Sequence, residues 1–253
     1  MTRTEQDSRL RVLIIEHERT ADAALVGECL DAANVESTVV GPEIGVAIPA
    51  SADGFDGIIV LGGSPGPGDD TDAPWLPGVR ELMAQALEAS TPLLGICLGA
   101  QLLAHVAGGT VREIAGGPEI GLVELQLTDE GRKDPLLGGI GDTANALQWH
   151  WLEVSSLPPG STVLCSSTEC ENQAFRVGAN AWGVQFHMEA LARTARQWSL
   201  ESAETLAELR IDAEPEIIEK VERAEAALRS RWSMVTRRWI DIVRDHARAG
   251  TAV

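Results

Sequence analysis

Pro92-Leu93-Leu94-Gly95-Ile96-Cys97-Leu98-Gly99-Ala100-Gln101 is the stretch that decides the fold. A short apolar run of strand character passes directly into a helical segment, with glycines two residues either side of a cysteine. A strand-to-helix turn of the G-x-nucleophile-x-G type holds its central residue in a strained conformation. It needs small neighbours so that other groups can approach closely. The positive end of the helix favours thiolate at Cys97, and the backbone N–H of Leu98 points to where an oxyanion would develop. A buried, inert cysteine in a Gly-rich turn fits the same letters, so the elbow needs partners elsewhere in the chain.

Working outward, the flanking pattern alternates strand and helix. Val12-Leu13-Ile14-Ile15 is a continuous apolar run, as expected of a strand buried on both faces. Residues 21–33 predict a helix with Thr20 as N-cap, and 36–40 a second strand. Residues 55–61 form a third strand signal, ending in the loop Gly62-Gly63-Ser64-Pro65-Gly66-Pro67-Gly68. Helices are predicted over 76–89 and 98–107. The alternation predicts an α/β fold with a mostly parallel central sheet covered by helices on both faces.

Beyond Gly117 the pattern becomes strand-rich, over 119–128, 146–154, 162–165, 173–177 and 181–186. After Leu191 it is helical. Val221, Ala224, Leu228, Trp232, Val235, Trp239 and Val243 make an apolar stripe at three- and four-residue spacing. Packing on the chain's own core and docking to a partner helix both fit such a stripe. The expected organisation is a disordered segment over 1–10, one α/β domain over 11–190 and a helical extension over 191–253.

Composition limits the function. Of 253 residues 38 are acidic and 20 basic, a net charge of −18 that disfavours nucleic acid, whose phosphates bind Lys and Arg clusters. At 44% hydrophobic residues there is ample material for a core, but no run approaches the ~18 apolar residues of a membrane helix. The first ten residues lack an apolar signal core, so a cytoplasmic protein is expected. Lys133 and Lys220 are the only lysines and tyrosine is absent, which fits a high-GC bacterial genome. Cys29, Cys97, Cys165 and Cys170 have neither disulfide-framework nor zinc-type spacing, and no histidine stands near Cys165 or Cys170 in sequence.

A thiolate needs a base, and five histidines are available. His17 follows the first strand, His105 lies along the helix after Cys97, and His246 sits in a polar tail; these read as surface or packing residues. His187 ends the apolar strand Ala181-Trp182-Gly183-Val184-Gln185-Phe186, and Glu189 follows two residues later. An imidazole and a carboxylate at that spacing can face the same way, the carboxylate fixing the tautomer and stabilising the imidazolium. His150, between Trp149 and Trp151, is a second candidate, with a substrate-side or structural role.

Three separated motifs now agree. Cys97 within GICLGAQ, the His187-x-Glu189 pair 90 residues later and the LGGSPGP loop at 61–67 resemble the class I glutamine amidotransferases. The resemblance is closest to the glutaminase domain of GMP synthetase and its free-standing relatives. It implies a flavodoxin-like domain and a Cys97–His187–Glu189 triad, with Gly63 and Leu98 as oxyanion donors. Gln101 would line the glutamine pocket, with Gly62, Trp149 and His150 beside it. It further implies glutamine as substrate, no cofactor or metal, and ammonia passed to a separate synthase. The helix over 215–247 and the acidic surface would be docking features.

Two departures stand out. Met188 replaces the family's usual proline and lacks the ring that would fix φ. No Ser-Gly-Gly-x-Asp-Ser phosphate loop follows Glu189, so GMP synthesis by this polypeptide alone is not expected. Two other readings fit the letters: a γ-glutamyl peptidase with the same triad, and a non-catalytic regulatory subunit of the same fold.

Overall fold

A computed structural model describes residues 9–251; residues 1–8, within the segment expected to be disordered, lie outside the described residues. The first half alternates as its sequence demands: β1 (Arg11–Ile15), α1 (Ala24–Ala32), β2 (Glu36–Val40), β3 (Gly57–Val60), α2 (Leu76–Glu88), β4 (Leu93–Ile96) and α3 (Leu98–Val106). The second half is strand-rich, with β5 (Thr110–Glu113), β6 (Glu119–Leu127), the short helix α4 (Asp129–Lys133), β7 (Thr143–His150), β8 (Leu152–Ser156), β9 (Thr162–Ser166), β10 (Ala174–Val177) and β11 (Ala181–Val184). Three helices follow, α5 (Ala192–Glu201), α6 (Ala203–Glu208) and α7 (Glu219–Thr251), the last entered through a π-helical turn at Glu214–Ile218.

Nine strands form one sheet in the order β2-β1-β3-β4-β11-β10-β9-β6-β7. The pairs from β2 through β11 are parallel and the pairs beyond β11 antiparallel. Alternate residues divide the apolar mass between two cores. Val12, Ile14, Ile59, Leu94 and Ile96 face a layer that includes α1, α5 and α7. Leu13, Ile15, Ile58, Val60 and Leu93 face α2 and α3. β3 and β4 are buried throughout, which is why they read as unbroken apolar runs rather than alternating ones.

Several expectations need correction. The first helix starts at Ala24 and Ala23 caps it without a side-chain bond, not Thr20. Thr20 stays in a loop because its carbonyl accepts a hydrogen bond from Trp198 Nε1 at 2.8 Å. The strand expected over 146–154 is two strands that part at Trp151, and β8 leaves the large sheet to pair with β5, which the sequence did not signal. His150 Nδ1 engages the carbonyl of Leu152, two residues on, at 2.9 Å, and turns the chain there. α4 was also missed: Thr128, read as a strand end, is its N-cap and accepts from Gly131 N–H.

The apolar stripe of α7 packs on the chain's own core. Val221, Leu228, Trp232, Val235, Trp239 and Val243 are each at most 1% exposed. That face is therefore not available to a partner, and only the polar face of the helix remains for docking.

Candidate active site

β3, β4 and β11 lie side by side and parallel, so their carboxyl ends deliver three loops to one place. β4 ends in Cys97, β3 in Leu61-Gly62-Gly63, and β11 runs on to His187 and Glu189. The parallel register Ile96↔Val184 sets the cysteine and histidine loops level with each other.

The elbow is strained and locked. Cys97 has φ 51° and ψ −107°, outside the regions an L-residue prefers. Its N–H donates to Val184 O at 2.8 Å, and Gly99 N–H donates to Leu61 O at 3.2 Å. Both glycines are obligatory. A Cβ on Gly95 would lie 2.4 Å from Gly99 O, and one on Gly99 would lie 2.0 Å from Val60 O. Leu98 is the first residue of α3 and has no intrahelical acceptor for its N–H. Among the described residues neither Leu98 N–H nor Gly63 N–H has an acceptor, which leaves both free for a developing charge.

His187 Nδ1 is 2.6 Å from Glu189 Oε1, both side chains being almost wholly buried. The ring's other nitrogen, Nε2, meets no oxygen or nitrogen partner among the described residues, and the Cys97 side chain interacts with the ring. Burial alone would push the imidazole pKa down. The charges of Glu189 and Cys97 outweigh it and raise the pKa to about 10, so His187 is an imidazolium at neutral pH. Gly62 is not among the residues that line the cavity. It is wedged between the two functional groups, where a Cβ would lie 2.9 Å from His187 Cε1 and 3.5 Å from Cys97 Cβ.

Met188 does not loosen this turn. It is fully buried in the core, and the backbone on either side is tied by His187 N–H to Leu147 O at 2.8 Å and by Leu25 N–H to Glu189 O at 3.1 Å.

Cys97 and His187 open into a cavity of about 320 Å³ that Gly63, Gln101, Trp149 and His150 also line. Gln101 Nε2 donates to Leu152 O and Gln185 Oε1, each at 3.3 Å. The sequence did not point to the remaining wall: Glu18, Thr20, Trp151, Trp198 and Glu201. Trp198 stands edge-on to His187 with ring centroids 4.6 Å apart, and Trp149 lies 5.7 Å beyond it. Glu18 sits just past the β1 carboxyl end, a position that a doubly wound sheet assigns to ligands; Trp198 carried no comparable local signal.

His150 is not free to act as a base. Nδ1 is held by Leu152 O and Nε2 by Glu119 Oε2 at 3.1 Å. Glu119 also accepts from Ser167 Oγ at 2.6 Å and from Gln173 Nε2 at 2.5 Å. The fold brings Cys170 here too, although no histidine stands near it in sequence. Potential ligand atoms of Glu119, His150 and Cys170 lie within 4.8 Å of one another. Burial, then Glu119 and Glu153, push the Cys170 thiol up. The cluster is best described as a hydrogen-bonded network beneath the pocket.

Comparison with known proteins agrees with this geometry. The profile of the family Glutamine amidotransferase class-I matches residues 15–203. The chain is 44% identical over 103 residues to a subunit of the glutamine-hydrolyzing GMP synthase of Saccharolobus solfataricus, covering 40% of this chain and 53% of that protein. It is 30% identical over 143 residues to gamma-glutamyl peptidase 3 of Arabidopsis thaliana, covering 54% of this chain and 55% of that one. The chain thus spans little more than half the length of these curated relatives. A crystal structure of a glutamine amidotransferase from Thermotoga maritima superposes with a TM-score of 0.82 at 28% identity, over 93% of this chain and 98% of that chain. With the elbow, the buried His–Glu pair and the family profile in agreement, this chain belongs to the class I glutamine amidotransferases.

Proposed function

We propose that this protein hydrolyses the side-chain amide of glutamine through a γ-glutamyl thioester on Cys97 and supplies the ammonia to a separate synthase. The observation that carries the reading is the convergence of Cys97 and His187 on one cavity. The two side chains interact, and Glu189 holds the ring by Nδ1.

The chemistry follows from these groups. The Cys97 thiolate attacks the γ-carboxamide carbon, and the carbonyl electron pair moves to oxygen, where the N–H groups of Leu98 and Gly63 receive it. One such donor contributes roughly 3–4 kcal/mol to the transition state of acyl transfer. His187 hands its Nε2 proton to the departing nitrogen, the C–N bond breaks, and ammonia leaves a thioester. The neutral ring then takes a proton from water, hydroxide adds to the thioester, and the C–S bond breaks to regenerate thiolate and glutamate. Glu189 holds the ring so that Nε2 performs both transfers. The relative named as one subunit of a GMP synthase supports delivery to a second polypeptide.

A second reading keeps the acyl half and enlarges the leaving group. The wall beside His187, where a leaving amine must stand, is built of Trp198 and Trp149, with Trp151 also lining the cavity. Ammonia needs no such aromatic surface, whereas an organic amine does. The likeness to a γ-glutamyl peptidase adds support. Purified protein assayed on glutamine and on a γ-glutamyl dipeptide separates the two. Glutamine hydrolysis with the larger kcat/KM is expected, and a marked preference for the dipeptide transfers the assignment. Under either reading Cys97→Ala is expected to remove turnover while leaving the folded spectrum intact, and undiminished release of glutamate by that variant overturns both.

A further inference from the structure

An oxyanion donor is effective only when its N–H is aimed before the charge develops. Gly63 has no side chain with which to anchor itself, so its orientation must come from neighbours. Two residues that follow β1 supply them. Ser64 N–H donates to Glu18 Oε1 at 2.6 Å, a charge-assisted bond that fixes the peptide on the carboxyl side of Gly63. The His17 side chain is packed beneath Gly63 itself, where a Cβ would lie 2.8 Å from His17 Cβ and 3.4 Å from its Cγ. His17 is pinned in turn: Trp75 Nε1–H donates to its Nδ1 at 3.0 Å. Burial holds the His17 pKa down to about 4, so the ring is a neutral, fixed spacer at working pH.

The arrangement has few alternatives. Ser64 and Gly63 both line the cavity, and no other acceptor serves Ser64 N–H among the described residues. Without the carboxylate, the 63–64 peptide can rotate and take the direction of Gly63 with it.

We infer that Glu18, with His17 locked by Trp75, is a positioning residue that clamps the 62–64 loop so that Gly63 N–H faces the reacting oxygen. This rests on the acyl-transfer reading above. Glu18 acts through the loop and takes no part in proton transfer.

The test compares two reactions of the same sulfur. Alkylation of Cys97 by iodoacetamide displaces iodide without forming an oxyanion, whereas acylation by glutamine or by a γ-glutamyl dipeptide forms one. Glu18→Ala is expected to lower kcat about 10- to 100-fold, less than the roughly 10²- to 10³-fold lost with a whole donor, because the N–H is misaimed and not removed. KM and the Cys97 alkylation rate are expected to stay unchanged. Glu18→Gln, which keeps an acceptor for Ser64 N–H, recovers most of the turnover. Trp75→Phe, which releases His17 without touching the cavity, gives the same signature at smaller amplitude and serves if the alanine variant does not fold.

Three outcomes overturn the inference: a Glu18→Ala effect confined to KM, a parallel fall in alkylation, or equal losses in the alanine and glutamine variants. So does a Glu18→Ala protein that turns over normally, which leaves the proposed function standing. A native protein whose Cys97 alkylates but which hydrolyses neither substrate overturns the proposed function and this inference together.

Discussion

The molecule contains two buried histidine–carboxylate pairs that look alike in isolation. In one, His187 Nδ1 meets Glu189 at 2.6 Å; in the other, His150 Nε2 meets Glu119 at 3.1 Å. Both rings line the same cavity. The difference is what the second nitrogen does. In His150 it is spent on Leu152 O, and Glu119 is further shared with Ser167 and Gln173. In His187 no oxygen or nitrogen among the described residues takes it, and the ring interacts with Cys97. A fully satisfied polar network rigidifies a core. Pairing with a carboxylate therefore does not by itself single out a histidine for the proposed chemistry; the interaction with Cys97 does.

The contrast can be broken at either pair. His187→Ala is expected to have the largest effect, a fall in kcat of about 10⁴-fold or more, as for other members of catalytic triads, together with a lower melting temperature because Glu189 is left buried without its partner. His150→Ala is expected to cost stability without a comparable loss of turnover. Leaving Glu119 buried without its hydrogen-bond partner costs about 2 kcal/mol of folding stability, read by urea denaturation, while kcat falls far less than in the His187 variant. Comparable losses of turnover in the two variants would erase the distinction.

pH sharpens it further. The folded-state pKa of His187, about 10, lies above its ordinary 6.5, so the fold favours the protonated ring. Its contribution to stability is complete below pH 6.5 and is lost as pH rises through about 10. In the proposed cycle the same proton is given to the leaving nitrogen. kcat/KM for glutamine should therefore decline above about pH 10, approaching tenfold per unit, and be level on the neutral side of that value. A profile that already falls from pH 7 would show that the neighbouring charges do not hold this proton.

What could be read from the sequence followed from how local the constraint is. The elbow was legible because each requirement sits within five letters: a strand's apolar run, glycines with no room for a Cβ, and a helix start. The His187–Glu189 pair was legible for the same reason. The break at Trp151 was not, because the alternation over 146–154 continues across it. What divides β7 from β8 is the His150 ring reaching its own downstream carbonyl. Nor could the letters bring His150 to Cys170, Trp198 to His187 or Glu18 to Ser64. Those contacts arise only when strand order sets distant loops side by side. The stripe on α7 was recognised, but periodicity alone does not say whose core it fills.

That last helix carries a consequence for how the protein is made. α7 packs on α1 near the start of the chain and on β6 and β7 in its second half, and it places Trp232 and Trp239 in the main core. A nascent chain whose ribosome has not yet passed codon 243 still exposes the apolar faces of α1 and the sheet that these tryptophans cover. Closure of that side must wait until α7 has been synthesised, so a product stalled before it is a target for chaperones and proteases rather than a smaller folded protein.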